Sequence, residues 1–376
     1  SETHKGSTDL TYDVDANGSR KFLLETFINY NRVFAQKHDV GGLLLYTQGE
    51  RFNAVGSGKP ILGLPYRRQG FVGKFNYAYD HRYYVEGNFG FNGSENFPKG
   101  NRFGFFPSVS LSWVASNEAF IKDNLPSISI LKLRASYGTV GNDYIGGSEQ
   151  DRFLYISSWT NAGSYNYNST YGGGTLGGIQ EATTGNPNVT WETAQKANIG
   201  LDLGFWNNEL RITADVFYER RKDILTTSGK TPQFSGIIKM PRINAGKVEN
   251  KGFEIEVEHH KRINKHSYFV KGNFSFARNK ILEMDEPIKP GLEYQQKTGT
   301  RVGEQYGLIA LGLFKDWDEI NDPNTPVQSF GAVQPGDIKY KDMNGDNKID
   351  SRDETFLDRV YRPECMYGFS VGYTYK

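Results

Sequence analysis

Hydrophobic and polar residues alternate along most of this chain with a period of two. The clearest example is an alternation of apolar and acidic residues, in the order Phe253, Glu254, Ile255, Glu256, Val257 and Glu258. Because successive side chains of a β-strand point to opposite faces, this segment has one apolar and one charged face. A soluble sandwich could use such a strand a few times. Its recurrence throughout the chain, with Gly and aromatic residues on the apolar face, indicates the wall of a transmembrane β-barrel.

The alternation predicts about eleven strands, separated by turns and loops. They span residues 21–34, 39–48, 68–79, 82–92, 103–114, 128–138, 189–205, 209–220, 248–260, 267–278 and 366–375. A helical turn is predicted at Asn117–Lys122, inside the connection that follows the fifth strand.

The connections alternate between short and long along the chain, although the turn after the fifth strand, 115–127, is longer than the other short ones. The long ones are 49–67, 93–102, 139–188, 221–247 and 279–365. Outer-membrane barrels have short periplasmic turns and long external loops, and single-chain bacterial barrels have even strand numbers. The predicted fold is therefore all-β, a transmembrane antiparallel β-barrel with long extracellular loops. Since eleven is odd, we expect strands at one or both ends to lie outside this sequence.

Composition is consistent with this fold and excludes several alternatives. Hydrophobic residues make up 37% of the chain and aromatic residues 14%, with 43 Gly. This suits a wall that needs an apolar residue only at every second position.

The net charge of +1 gives no indication of nucleic-acid binding. Cys365 is the only cysteine, which excludes a disulfide framework. No run of 18 apolar residues predicts a transmembrane helix, and because no signal peptide opens the chain, we expect the natural N-terminus to differ.

Charged residues on the polar faces of the predicted strands are expected to line a wet lumen. They are Lys74, Glu86, Lys132, Arg134, Arg211, Glu254, Glu256 and Glu258. Motifs of hydrolases, zinc proteases and phosphate-binding loops are missing, and Gly56–Lys59 is followed by Pro60, which removes a donor from any phosphate cradle. The sequence therefore predicts a protein that is not an enzyme.

A twelve-residue acidic loop from Asp342 to Asp353 matches the spacing of a calcium loop, in which positions 1, 3, 5, 7 and 12 supply oxygen ligands. Position 6 is Asn347 and not Gly, and position 12 is Asp and not Glu. The alternative is an acidic turn held by Asx hydrogen bonds. We expect a structural calcium-binding loop within residues 336–358, in an extracellular loop. Its predicted ligands are Asp342, Asn344, Asp346, Lys348 through its carbonyl, and Asp353.

The loop 139–188 is rich in Gly, Ser, Asn and Tyr and carries the candidate substrate-binding residues. Rigid amphipathic rings beside small polar residues suit the binding of sugars or peptides. The alternative is an ordinary external loop that packs on its neighbours. The candidates are Trp159, Tyr165, Tyr167 and Tyr171.

Several segments, in the same order along the chain, resemble the SusC/RagA type of TonB-linked outer-membrane transporter. They are Phe106–Trp113 with Asn117–Phe120, Leu131–Gly138, Asn186–Glu192, Ala214–Tyr218, Asn250–Glu254, and Gly336–Ile338 leading into the acidic loop.

The resemblance implies that residues 1–376 are part of the β-barrel domain of a TonB-dependent receptor with about 22 strands. It implies import of oligosaccharides or peptides across the bacterial outer membrane, with a SusD-like lipoprotein as a lid. It further implies a plug and a TonB-contacting segment in an N-terminal part outside this sequence. The alternatives are an energy-independent porin and a calcium-stabilised surface adhesin. A dockerin-like module would need a helical pair that the sequence does not predict.

Overall fold

The computed structural model describes residues 18–54, 63–146, 152–166 and 174–376. Its strands, in chain order, are β1 (Gly18–Phe34), β2 (His38–Ala54), β3 (Tyr66–Tyr79), β4 (Tyr83–Ser94), β5 (Phe103–Val114), β6 (Ile128–Asn142), β7 (Ser158–Asn166), β8 (Thr175–Thr183), β9 (Glu192–Phe205), β10 (Leu210–Thr227), β11 (Arg242–Ile263), β12 (His266–Glu283), β13 (Glu304–Gly307), β14 (Ala310–Leu313), β15 (Val327–Gln328), β16 (Ile338–Tyr340), β17 (Lys348–Ile349), β18 (Thr355–Val360) and β19 (Cys365–Tyr375). The two α-helices are α1 (Ala119–Asn124) and α2 (Trp317–Asn321).

Eleven of these strands form one antiparallel sheet, in the order β1-β2-β3-β4-β5-β6-β9-β10-β11-β12-β19. These correspond to the eleven strands that the alternation predicts, so their number and the antiparallel sheet are confirmed. Since neighbouring strands in the chain are neighbours in the sheet, the sheet is an up-and-down meander. Among the described residues it is open, with β1 at one edge and β19 at the other.

Cross-strand register makes one face of the sheet mainly polar and the other mainly apolar. On one face Asn76 lies opposite Glu86, and Glu86 lies opposite Ser110. On the other face Val216 lies opposite Phe253, and Phe253 lies opposite Phe276. We call these the polar face and the apolar face.

The short connections all lie at one end of the sheet. Three residues with positive φ, Trp206, Asn207 and Asn208, turn the chain between β9 and β10, and Asn and Asp tolerate this backbone better than most residues. The connection between β5 and β6 contains α1, two residues beyond the predicted helical turn. The buried Glu118 carboxylate fixes this connection by accepting hydrogen bonds from Tyr83 Oη (2.6 Å) and Arg82 Nη1 (2.7 Å).

The long connections lie at the opposite end and contain structure that alternation did not predict. Strands β7 and β8 form a separate hairpin. Between β12 and β19, three short strand pairs form: β13 with β18, β14 with β16, and β15 with β17. The Asp316 carboxylate caps α2 by accepting a hydrogen bond from the Glu319 N–H (2.9 Å).

Large apolar side chains are exposed along the apolar face. The exposed fraction is 70% for Ile28, 66% for Ile199 and 63% for Val216. Monomeric soluble proteins rarely expose contiguous apolar patches of this extent, whereas lipid covers the equivalent face of a membrane barrel. No helix within the described ranges is long and apolar enough to cross a membrane.

Candidate functional site

The polar face carries charged residues that pair across neighbouring strands. Arg134 of β6 donates to both oxygens of Asp202 in β9 (2.9 and 3.1 Å) and to Asp215 of β10 (3.0 Å). Lys74 pairs with Glu86 at 3.0 Å. These pairs cross-link the neighbouring strands.

The predicted inward charges all occupy this face, because each lies in register with other polar positions. Glu254 lies opposite Asp215 and Ser275, and Glu256 lies opposite Thr213 and Asn273. A cavity of about 480 Å³ lies over these residues. The arrangement suits a water-filled channel.

A larger cavity of about 700 Å³ lies on the polar face near the long loops. Its lining includes Lys21, Arg51 and Arg68 together with the rings of Tyr66 and Trp191. Lys21 lies directly opposite Arg51 in the β1–β2 register, and the carboxylates of Glu50 and Asp143 line the same cavity. Sequence reasoning missed this cavity, because its residues come from six separated parts of the chain.

A buried cluster anchors the long loops beside this cavity. It consists of Phe97, Ile145, Val189 and Trp191. The Trp191 ring lies 5.1 Å from the Phe97 ring and 5.2 Å from that of Phe106. Phe106 itself packs over Gly141, where an added Cβ would lie 1.9 Å from the ring. The cluster holds three segments together at the mouth of the polar face.

Two of the four candidate aromatic residues lie in the β7–β8 hairpin. Trp159 is 68% exposed and Tyr165 is 71% exposed. A bulge between Ala162 and Ser164 shifts the register, which places the two rings on opposite faces of the hairpin. Tyr167 and Tyr171 lie outside the described residues.

The acidic loop is folded around its own backbone amides. Asp342 accepts hydrogen bonds from the N–H groups of Gly345 (2.7 Å) and Asn347 (2.8 Å). Asn344 accepts from the Asp346 N–H (2.9 Å). Asn347 adopts a φ of 60°, the left-handed conformation that Gly supplies at this position of a calcium loop.

The far end of the same loop is closed by a fully buried carboxylate. Asp353 accepts from the N–H groups of Met343 (2.9 Å) and Asp350 (2.8 Å). Ile349 is 1% exposed, and its short strand β17 pairs with β15.

Charge in the loop is partly neutralised by one arginine. Arg352 pairs with Asp346 at 2.6 Å and with Asp350 at 2.9 Å. The Arg352 guanidinium lowers the pKa of Asp350 to about 2. No group of three or more His, Cys, Asp or Glu side chains is arranged to hold a metal ion in the described part of the chain. Two of the predicted ligands, the Asn344 side-chain amide and the Lys348 backbone carbonyl, do not belong to these four side-chain types.

The chain matches a known protein family and is similar to curated proteins named after that family. The family model described as TonB dependent receptor-like, beta-barrel matches residues 3–362. The chain is 27% identical over 412 residues to TonB-dependent receptor P39 of Formosa agariphila, covering 94% of this chain and 38% of that protein. It is 29% identical over 319 residues to TonB-dependent receptor SusC of Bacteroides thetaiotaomicron, covering 81% of this chain and 30% of that protein. The chain thus spans about a third of the length of these curated relatives.

Solved structures share the fold. The structure of the RagAB peptide transporter matches with a TM-score of 0.69 and 22% sequence identity, covering 96% of this chain and 40% of that chain. A RagAB peptide importer in a closed-closed state gives the same values.

Proposed function

Because the chain belongs to the TonB dependent receptor-like β-barrel family, whose members lie in the bacterial outer membrane, we propose that it forms part of the wall of a transporter that imports a bulky nutrient. The observation that carries this proposal is the division of one eleven-stranded sheet into an ion-paired polar face and an exposed apolar face. Such a sheet suits a wall between lipid and a wet lumen. We propose that the transporter moves its cargo across the membrane and does not convert it chemically.

The proposed cargo is an oligosaccharide or a peptide. Among the relatives, RagAB is described as a peptide importer, and the cavity of about 700 Å³ combines aromatic rings with cationic side chains. Rings of Tyr and Trp stack on sugars and on peptide groups. The exposed rings of the β7–β8 hairpin are proposed as outer contacts for the same cargo.

The proposed partners follow from the family. A SusD-like lipoprotein would cover the long loops as a lid, and TonB would act through an N-terminal part of the protein outside this sequence. The short-turn end of the sheet would then face the periplasm.

Uptake by cells that carry the full-length transporter tests the proposal. We expect uptake of fluorescent oligosaccharide or peptide pools that ceases when TonB is deleted. Uptake that continues without TonB would instead identify a porin. Extraction of the full-length protein without detergent would favour a surface adhesin.

A matched pair of variants tests the cargo contact. Combining Trp159→Ala with Tyr165→Ala removes two stacking surfaces, each worth about 0.5–1.5 kcal/mol, so we expect uptake at low cargo concentration to fall about fivefold or more. The control is Phe234→Ala, which removes a ring that is 93% exposed in another long loop. Equal effects of the two changes would contradict the assignment.

We also propose that the acidic loop binds calcium. Its support is the set of Asx hydrogen bonds and the left-handed Asn347, which give the loop the backbone of a calcium site. The Asp346 carboxylate pairs with Arg352 and would have to release this guanidinium before it could bind the ion. The affinity for calcium should therefore be weak, with a dissociation constant on the order of 10⁻⁴–10⁻³ M. The ion would act as a structural staple for the loop between β12 and β19.

Proteolysis of the full-length protein in millimolar calcium or chelator tests this site. We expect Asp346→Ala to abolish calcium-dependent protection near Asp342 and to leave the heat resistance of the barrel unchanged. Asp318→Ala, an exposed change in α2 of the same loop, is the control. If calcium does not protect the unmodified loop, the segment is an Asx-rich turn.

A further inference from the structure

A group of cations projects from the apolar side of the sheet, at the end near the long loops. We define it as the outer basic patch. Its members are Arg220 and Lys222 of β10, Lys251 of β11, and Arg278 and Lys280 of β12. All five side chains are exposed.

Register places these residues on the same face as the apolar band. Lys251 lies opposite Tyr218 and Arg278, one step along that face from the row of Val216, Phe253 and Phe276. From Leu210 to Arg220 the strand advances about 34 Å, which a tilt of about 40° reduces to about 26 Å in height. This matches the apolar band of an outer-membrane barrel, about 25 Å tall. The outer basic patch therefore lies at the level of the external lipid headgroups.

Most of these cations lack an acidic partner. Arg278 pairs with Glu364 at 2.7 Å. Arg220, Lys222, Lys251 and Lys280 form no ion pair with any acidic residue in the described ranges. On the polar face, Arg134 pairs with Asp202 and Asp215, and Lys74 pairs with Glu86. In the outer basic patch, one of the five cations has such a partner among the described residues.

One carboxylate lies among these cations and lowers the net positive charge of the patch by one. Glu249 lies opposite Arg220 and Lys280, but it accepts a hydrogen bond from Tyr218 Oη (3.3 Å) and forms no salt bridge among the described residues. Lys251 directly faces Arg278, and like charges in that arrangement destabilise a sheet. An external anion would remove this repulsion.

The patch also borders a cavity large enough for an anionic headgroup. A space of about 500 Å³ is lined by Lys251, Arg278 and Lys280 of the strands and closed by Thr300 and Arg301 of the last long loop. Its lining also includes the carboxylates of Glu249, Glu304 and Asp358, of which Glu304 and Asp358 pair with Arg301. Arg301 is held there by Glu364 (3.2 Å). A headgroup in this cavity would contact both the strands and the loop.

We propose that the outer basic patch binds the phosphorylated headgroup of a lipid in the external leaflet. The cations that lack an ion pair among the described residues, and their height on the wall, favour a phosphate-bearing lipid over a neutral one. The cavity supplies room for its headgroup. The bound lipid would hold the last long loop against the outside of the wall. This interaction is independent of which cargo the transporter carries and of whether the acidic loop binds calcium.

Native mass spectrometry of the full-length transporter in nonionic detergent tests the proposal. The probe is bisphosphorylated lipid A, and its dephosphorylated counterpart is the comparison. Each lysine near an anionic lipid contributes roughly a fivefold gain in affinity, so we expect Lys251→Gln with Lys280→Gln to weaken binding about twenty-five-fold. The control combines Lys37→Gln and Lys265→Gln, two cations in the turns at the opposite end, and should leave binding unchanged.

Other results would overturn the proposal. One is equal binding of the phosphorylated and dephosphorylated lipids, and another is equal loss in the two double variants. A lipid-free dimer that dissociates only in the Lys251/Lys280 variant would assign the patch to contact with a second copy. If the Lys251/Lys280 variant loses heat resistance, the salt dependence of lipid binding to the unmodified protein tests the proposal instead. Raising the salt concentration about tenfold should release phosphorylated lipid A. Binding that does not change with salt would contradict the assignment.

Discussion

At the scale of single residues, the direction in which a strand side chain points decides whether it meets lipid or water. Val257 and Glu256 are neighbours in β11, yet Val257 lies opposite Ile212 and Gly272, whereas Glu256 lies opposite Thr213 and Asn273. Glu256 also pairs with Lys271 at 2.8 Å. Two adjacent positions therefore report on the two faces of the wall.

Val257→Arg should impair assembly of the full-length barrel, because an arginine facing lipid costs about 2–4 kcal/mol at mid-membrane and about 0–1 kcal/mol at the interface, and Val257 lies between these depths. Glu256→Arg is the matched control. It removes an exposed ion pair worth about 0.2–1 kcal/mol and leaves its new charge in water. The measurement is the fraction of protein that migrates as a heat-resistant barrel. Equal loss in both variants would show that the two faces are not lipid and lumen.

A second residue-scale prediction concerns acid. The pKa of Asp350 is lowered to about 2 by hydrogen bonds from the Arg352 side chain and backbone, from about 3.9 in an unfolded chain. The stabilisation that Asp350 gives to the acidic loop is therefore complete above about pH 4 and is lost as the pH falls through 2. We expect pepsin to cleave the full-length protein within 342–353 more readily at pH 2 than at pH 4. In Arg352→Gln the onset should move towards pH 4, and an unmoved onset would contradict the assigned cause.

At the scale of elements, the alternation predicted the eleven strands of the large sheet. It missed the short strands that pair within the long loops. The eleven wall strands contact different media on their two faces, so their pattern appears in the sequence. Strands β13 to β18 have two to six residues each, and their pairing depends on the fold of a long loop. The hairpin β7–β8 contains a bulge and Gly-rich segments that break the alternation.

Of the candidate sites, one could be predicted from the sequence and two could not. The acidic loop was visible because its ligand spacing is local, and the structure places its residues in one turn. The cavity beside Trp191 and the outer basic patch are assembled across strands from distant segments. Locating them required the register, which a single sequence does not supply.

The buried aromatic cluster offers a test at the element scale. Trp191 is 8% exposed, and its indole N–H donates to the Arg102 carbonyl (3.3 Å). Replacing a buried tryptophan with alanine costs about 3–5 kcal/mol. We expect Trp191→Ala to make the long loops sensitive to protease while the wall stays heat-resistant. Tyr144→Ala, which removes a ring that is 69% exposed in a neighbouring segment, should change neither property. A loss of barrel heat resistance in Trp191→Ala would show that the cluster supports the wall itself.

At the scale of the whole molecule, the hydrogen bonding of the sheet edges determines what this chain can do alone. Within the described residues β1 pairs only with β2, and β19 pairs only with β12. Both strands therefore present a row of unpaired backbone groups at an edge. In lipid each unsatisfied group costs several kcal/mol, and a barrel avoids this cost only by closing.

Residues 1–376 expressed alone should therefore not form a stable barrel. The β1 edge has 17 residues and the β19 edge 11, and about half of the backbone groups in each strand point away from its single neighbour. The summed cost far exceeds the stability of about 5–15 kcal/mol that a folded domain has. Refolding into detergent micelles, followed by gel migration with and without heating, measures the outcome. We expect aggregates or mixed oligomers in which edges pair between copies, while the full-length transporter treated identically gives a heat-resistant monomer. A monodisperse, heat-resistant monomer of the 376-residue chain would mean that its two edges meet, and the wall would then be a small closed barrel and not a sector of a larger one.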